Sequence, residues 1–168
     1  PADRLHEKPA HLNAAQAAAL PLAGLTAFRA LFTHGQAAKD KKVLVTGIGG
    51  GVAQFALLFA HATGARVWVT SGDEAKLQKS LELGATGGFN YRTEGWQKQA
   101  ASETKGFNII IDSTGGKQFG SLTKILAPGG KLVFYGASAG LPESIDLFRL
   151  FWGQGTIQGS TMGNDAEF

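Results

Sequence analysis

The sequence predicts an α/β fold, a doubly wound parallel sheet of about six strands with helices on both faces. Three observations predict it. Short apolar runs alternate with stretches of helical periodicity along the whole chain, which implies parallel strands joined by right-handed crossovers. Glycine is abundant, 24 of 168 residues, yet it falls at the ends of elements rather than in a low-complexity tract. The densest group, Gly47, Gly49, Gly50 and Gly51, stands directly after the first apolar run and before a helical one. Bare backbone is costly there unless something must approach it.

The elements follow in order. "LNAAQAAALPLAGLTAFRALFTHG" reads as two helices: Asn13 caps the first and Pro21 ends it, and Gly35 closes the second. Val43–Thr46 is a short apolar run, read as a buried strand. Val52, Phe55, Ala56, Phe59 and Ala60 then recur at helical spacing up to Gly64. Arg66–Thr70 is the second strand, Asp73–Leu83 a helix, "GGFNY" a third strand, and Thr93–Thr104 a helix. Phe107–Asp112 is a fourth strand and Phe119–Leu126 a helix, with "PGG" at 128–130 a turn before a fifth strand, Lys131–Tyr135. Ile145–Trp152 reads as a helix and Thr156–Gly159 as a sixth strand. The whole chain, 1–168, is expected to be one domain, with residues 1–42 as leading helices and 43–168 as the core.

Composition narrows the function classes. A net charge of +3 is too small to direct the chain to nucleic acid or a membrane surface. There is no cysteine, which excludes disulfides and a cysteine zinc site and fits a reducing, cytoplasmic setting. No apolar run reaches the roughly 18 residues of a membrane span, and no signal-peptide pattern opens the chain. His6, His11, His34 and His61 have neither ligand nor dyad spacing, so neither a metal site nor a catalytic residue is expected.

In a doubly wound sheet, ligands bind outside the C-terminal ends of the strands where strand order reverses. The glycine run lies there. A helix N-terminus presents free N–H groups and the positive end of its dipole to an anion. The pattern departs from G-x-G-x-x-G; it is G-x-x-G-x-x-A, from Gly47 through Gly50 to Ala53. At the end of the second strand, where an acid commonly holds a ribose 2′-hydroxyl, the chain has Thr70-Ser71-Gly72. Lys76 follows one turn into the next helix, within reach of a 2′-phosphate. Asp73 is open to two readings, a ribose acid or a helix-start residue, and Lys76 is equally consistent with a solvated surface lysine.

These residues resemble the cofactor-binding domain of the medium-chain dehydrogenase/reductase superfamily, in particular its zinc-type alcohol dehydrogenase-like and quinone oxidoreductase-like members. "AAALPLAGLTAFRAL", "VLVTGIGGGVAQFALLFAHATGA", "LGATGGFNY", "IIIDSTGG", "LAPGGKLVFYGASAG" and "FWGQGTIQGSTMG" carry the resemblance in order. It implies a Rossmann-type fold and NADP(H). Gly47, Gly50, Gly51 and Val52 then hold the diphosphate, and Ser71, Lys76 and Tyr91 the 2′-phosphate. Ser113 and Thr114 face the adenosine, and Thr26, Gly136, Ala137 and Ser160 the nicotinamide. Tyr91 is also readable as an aromatic at the core edge, and Thr26 as a helix-packing hydroxyl.

The resemblance further implies a parent oxidoreductase acting on an aldehyde, ketone, enone or quinone. It implies a homodimer joined along the last strand, unless the aromatics before that strand once faced another domain. The catalytic domain that precedes this region in the family is expected to be absent, the chain being an excised cofactor domain or a natural remnant. Two other classes stand beside this one. A non-catalytic nucleotide-binding or interaction module would show affinity without turnover. An S-adenosylmethionine methyltransferase would generally close the second strand with an acid, where Ser71 stands.

Overall fold

In the computed structural model, which describes residues 6–167, six parallel strands form one sheet. They are β1 (Lys42–Val45), β2 (Arg66–Ser71), β3 (Gly87–Asn90), β4 (Phe107–Asp112), β5 (Leu126–Phe134) and β6 (Thr156–Gly159). The spatial order is β3-β2-β1-β4-β5-β6. Strand order therefore reverses between β1 and β4, and a crevice opens above their C-terminal ends.

Alternation along the strands builds two cores. Val43, Val45, Ile109 and Ile111 point to one face, and Leu44 and Ile110 to the other. Helices α1 (Ala14–Phe28) and α2 (Gly51–Ala62) cover the first face with Ala27, Ala53, Ala56, Leu57 and Ala60. Leu77 of α3 (Glu74–Glu82) joins that core. Trp96 and Ala100 of α4 (Trp96–Thr104) and Phe119 and Leu122 of α5 (Phe119–Thr123) pack with Phe107 and Leu132 on the second face. A short helix α6 (Leu147–Trp152), capped by Asp146, precedes β6.

Several boundaries differ from the sequence reading; the helix read as Phe119–Leu126 ends at Thr123, Leu126 opening β5, and the one read from Ile145 begins at Leu147. Pro21 does not end a helix; α1 runs through it and continues as a π-helical turn, Arg29–His34. Pro21 is exposed, so the carbonyl it leaves without a helical donor faces solvent, while burial of Ala27, Ala30 and Leu31 holds the second half in place. The uninterrupted 14–34 segment, 21 residues with mean hydropathy 1.3, is long and apolar enough to cross a membrane by composition alone. Its inner face is engaged against α2 in the core, and 28% of the apolar window is buried. Gly35 caps the end of this turn (φ −71°), as the sequence reading has it, and the left-handed residue that follows is Gln36 (φ 58°).

Likewise, 128–130 is no turn between elements. β5 runs through it from Leu126, with a register shift between the Phe107–Leu126 and Ile109–Lys131 pairs. Gly129, at φ 70°, takes up the extra residues as a bulge. Helix α4 begins at Trp96 rather than Thr93, because Gly95 is left-handed (φ 75°).

Candidate cofactor-binding site

The loop between β1 and α2 makes the floor of the crevice. Its first glycine is required by the chain itself: Gly47 has φ 64°, and its N–H donates to Thr70 Oγ1 at 3.2 Å. Ile48 N–H donates to the Thr70 carbonyl at 3.0 Å, tying the loop to β2. The next glycines have no such internal cause. Gly50 lies at φ −83°, and a Cβ there would meet only the Gly47 carbonyl, at 3.6 Å. At Gly51 a Cβ would sit 3.7 Å from Ala23 Cβ, an ordinary contact. No side chain caps α2, so its first N–H groups are left for an external acceptor.

Above this floor the β4 and β5 loops are joined to one another. Ala139 N–H donates to the Thr114 carbonyl and Gly116 N–H to the Gly140 carbonyl, each at 2.8 Å. Gly136 passes so close to Ser113 that a Cβ would lie 2.9 Å from its carbonyl oxygen. Ser113 Oγ and Thr114 Cγ2 in turn flank Gly47, 3.5 and 3.7 Å from the position of a Cβ there. Gly47, Gly50, Gly51, Val52, Ser113, Thr114, Gly136 and Ala137 thus meet around the switch point.

Beside it lies a largely apolar cavity of about 460 Å³, with Gly47, Thr70, Tyr91, Trp96, Thr114, Gly115 and Leu122 in its walls. A second cavity of about 490 Å³ is lined by Ser71, Gly72, Asp73, Glu74, Lys76, Tyr91 and Arg92. Tyr91 belongs to both. The Lys76 ammonium approaches the glycine loop, 3.2 Å from where a Gly49 Cβ would be. The acids of the second cavity are engaged locally. Asp73 Oδ1 accepts the Ala75 N–H at 2.9 Å as the α3 cap, and Glu74 Oε1 accepts the Asn90 amide at 2.5 Å. Ser71 Oγ accepts the Asp73 N–H at 3.1 Å.

Thr26 and Ser160 line neither cavity. Thr26 is buried and its hydroxyl donates to the Leu22 carbonyl at 2.7 Å, the helix-packing arrangement. Ser160 N–H continues the ladder to the Phe134 carbonyl at 2.8 Å, and its buried hydroxyl has no partner.

Sequence reasoning missed Arg92, Gly72, Trp96 and Asp112. A Cβ at Gly72 would fall 2.8 Å from Arg92 Nε and from the Tyr91 hydroxyl; only a bare residue lets both side chains fold over the end of β2. Arg92 directly follows Tyr91, so the signal was present. Asp112 stood out as the one charge in an apolar strand.

Tyr135, at the end of β5, lies among these groups. Burial pushes its hydroxyl above the ordinary tyrosine range, a hydrogen bond with Ser113 pulls it partly back, and the charge of Asp112 pushes it up again. The folded state therefore holds this proton more tightly than the unfolded chain. The associated stability is present below the unfolded value of about 10 and is lost as pH rises through the folded one. Unfolding midpoints in urea should fall more steeply above about pH 10 for the wild type than for Tyr135→Phe; parallel curves would refute the assignment.

Strand order, bare helix N-terminus and switch-point crevice define a Rossmann-type doubly wound domain. Residues 51–168 match the family model described as zinc-binding dehydrogenase. The chain belongs to this family, within the medium-chain dehydrogenase/reductase superfamily. It is 40% identical over 171 residues to the zinc-type alcohol dehydrogenase-like protein YogA of Leptosphaeria maculans, a match covering 95% of this chain and 46% of that protein. The crystal structure of an NAD-dependent alcohol dehydrogenase superposes with a TM-score of 0.94 at 35% identity, over 99% of this chain and 49% of that one. A quinone oxidoreductase from Thermus thermophilus, solved also as its complex with NADPH, superposes with a TM-score of 0.81 at 31% identity, over 92% and 49%. The chain spans less than half the length of the curated relatives it matches. Among the described residues, no group of three or more His, Asp or Glu is arranged to hold a metal.

Proposed function

We propose that residues 1–168, with 1–42 as leading helices and 43–168 as nucleotide-binding core, form the cofactor half of an NADP(H)-dependent oxidoreductase. The parent transfers hydride to or from an aldehyde, ketone, enone or quinone. The single observation that carries the reading is that Gly50 and Gly51 are bare without any internal contact requiring it, at the uncapped start of α2. A dinucleotide diphosphate supplies the missing acceptor.

The bound nicotinamide supplies the hydride chemistry; the chain binds, orients and shields. Gly50, Gly51 and Val52 hold the diphosphate through backbone N–H groups. Thr114 and the apolar cavity beneath Tyr91 take the adenosine, and Gly136 and Ala137 border the nicotinamide side. Ser71, Lys76, Tyr91 and Arg92 converge where the 2′-phosphate falls. Asp73, as a helix cap, and Glu74, bonded to Asn90, are engaged elsewhere, which favours NADPH over NADH. Catalytic turnover belongs with the substrate-facing part of the relatives, so the chain by itself is proposed to bind without reacting.

Calorimetric titration tests this. The chain should bind NADPH more tightly than NADH. Lys76→Ala should weaken NADPH about 10–100-fold, the worth of one charge-assisted bond to phosphate, and leave NADH within about twofold. Equal losses for both cofactors would move the specificity to Asp73.

A further inference from the structure

Asp112 has a second role open to it that the binding reading does not use. It ends β4 at 0% exposure and is the one charged residue among the fully buried described residues. Its Oδ1 accepts the Thr46 hydroxyl at 2.6 Å and the Thr114 hydroxyl at 2.8 Å, and its Oδ2 accepts the Gly115 N–H at 2.8 Å. Thr46 directly follows β1, one residue before Gly47, and its Oγ1 also accepts the Ser113 N–H at 3.4 Å. The Asp112 carbonyl accepts the Tyr135 N–H at 2.9 Å. The Asp112 side chain therefore joins the root of the glycine loop to the β4 loop, while its backbone continues the ladder to β5.

No cation balances Asp112 in these bonds, and burying a carboxylate costs more than an apolar residue of the same size would. Stability alone gives no reason for an acid at this place. A shared acceptor does: the carboxylate holds the Thr46 hydroxyl beside the Thr114 hydroxyl and Gly115 N–H of its own loop, which takes a group with several lone pairs. We propose that Asp112 is a positioning residue whose carboxylate fixes the β1 glycine loop and the β4 loop as one pre-formed cradle for the dinucleotide. Without it the loops must be ordered by the ligand, and that ordering weakens binding.

The inference rests on the cofactor-binding reading above, and the test separates the two. NADPH is titrated into wild type, Asp112→Asn, Thr46→Val and Thr46→Ser, at a temperature far below each unfolding midpoint. Asparagine, with its oxygen on the Gly115 N–H, turns amide N–H groups to the Thr46 and Thr114 hydroxyls and can no longer accept from them, and valine removes the Thr46 hydroxyl at nearly constant shape. Both should weaken NADPH about tenfold or more. Thr46→Ser keeps the hydroxyl and should bind within about twofold of wild type. A residue that only supported the fold would lower the unfolding midpoint without this loss, and serine would rescue nothing specific. If Asp112→Asn fails to fold, the Thr46 pair decides. Wild-type affinity in Thr46→Val or in folded Asp112→Asn overturns the positioning role alone. A wild-type chain that binds neither NADPH nor NADH overturns the cofactor reading and this one with it.

Discussion

Gly50→Val is expected to remove NADPH binding, with affinity lowered at least about 100-fold, while the circular dichroism spectrum stays that of the wild type. The two halves of the expectation have separate causes. Gly50 is extended, at φ −83° and ψ 147°, a conformation valine favours. The only neighbour of its Cβ would be the Gly47 carbonyl at 3.6 Å. The protein has room for the side chain; on the proposed reading the diphosphate does not, because its oxygens would meet the first N–H groups of α2 in that volume. Gly50→Ala should fall between wild type and valine. Gly47→Val makes a useful contrast, since its φ of 64° predicts a loss of stability as well. A folded Gly50→Val chain that binds NADPH normally would dismiss the phosphate-loop role.

The contrast between these glycines shows how far sequence could go. The run at 47–51 announced a loop that something approaches, because its cost could be seen from residue types alone. Which glycine serves the turn and which serves the ligand depends on φ and on neighbours distant in the chain. The central strands were equally legible, since β1, β2 and β4 are short, largely apolar runs closed by polar residues, and their parallel order follows from the helices between them. Pro21 misled because its effect is decided by tertiary packing: the helix survives where Ala27, Ala30 and Leu31 anchor it. Arg92 and Asp112 escaped for a related reason. Their partners, Gly72 one strand away and Thr46 some 66 positions earlier, are joined only by the fold.

Ile157→Pro is expected to dissociate a homodimer formed along β6. Light scattering at tens of micromolar should report twice the chain mass for the wild type and a single chain for the variant. β6 is the edge of the sheet. Ser160 N–H points to β5, so by the alternation of a parallel ladder the N–H groups of Ile157 and Gly159 point outward. Such an edge recruits another strand unless it is covered. Beside it α6 exposes Leu147, Phe148, Phe151 and Trp152, at 68%, 77%, 62% and 76%, more contiguous apolar surface than a lone domain usually presents. Proline at 157 removes an outward donor and leaves the bonds to β5 in place. A wild-type monomer, or open-ended aggregation without a dimer plateau, would instead assign the aromatics to contact with another domain.

One contact ties segments distant in the sequence to each other. Glu167 accepts the Thr33 hydroxyl at 2.9 Å and pairs with Arg29 Nε at 3.5 Å, and it shares a groove with His6, Lys8 and Pro9. The segment before α1 and the segment after β6 therefore meet at one groove beside the π-helical turn, so that a disturbance of either reaches the other.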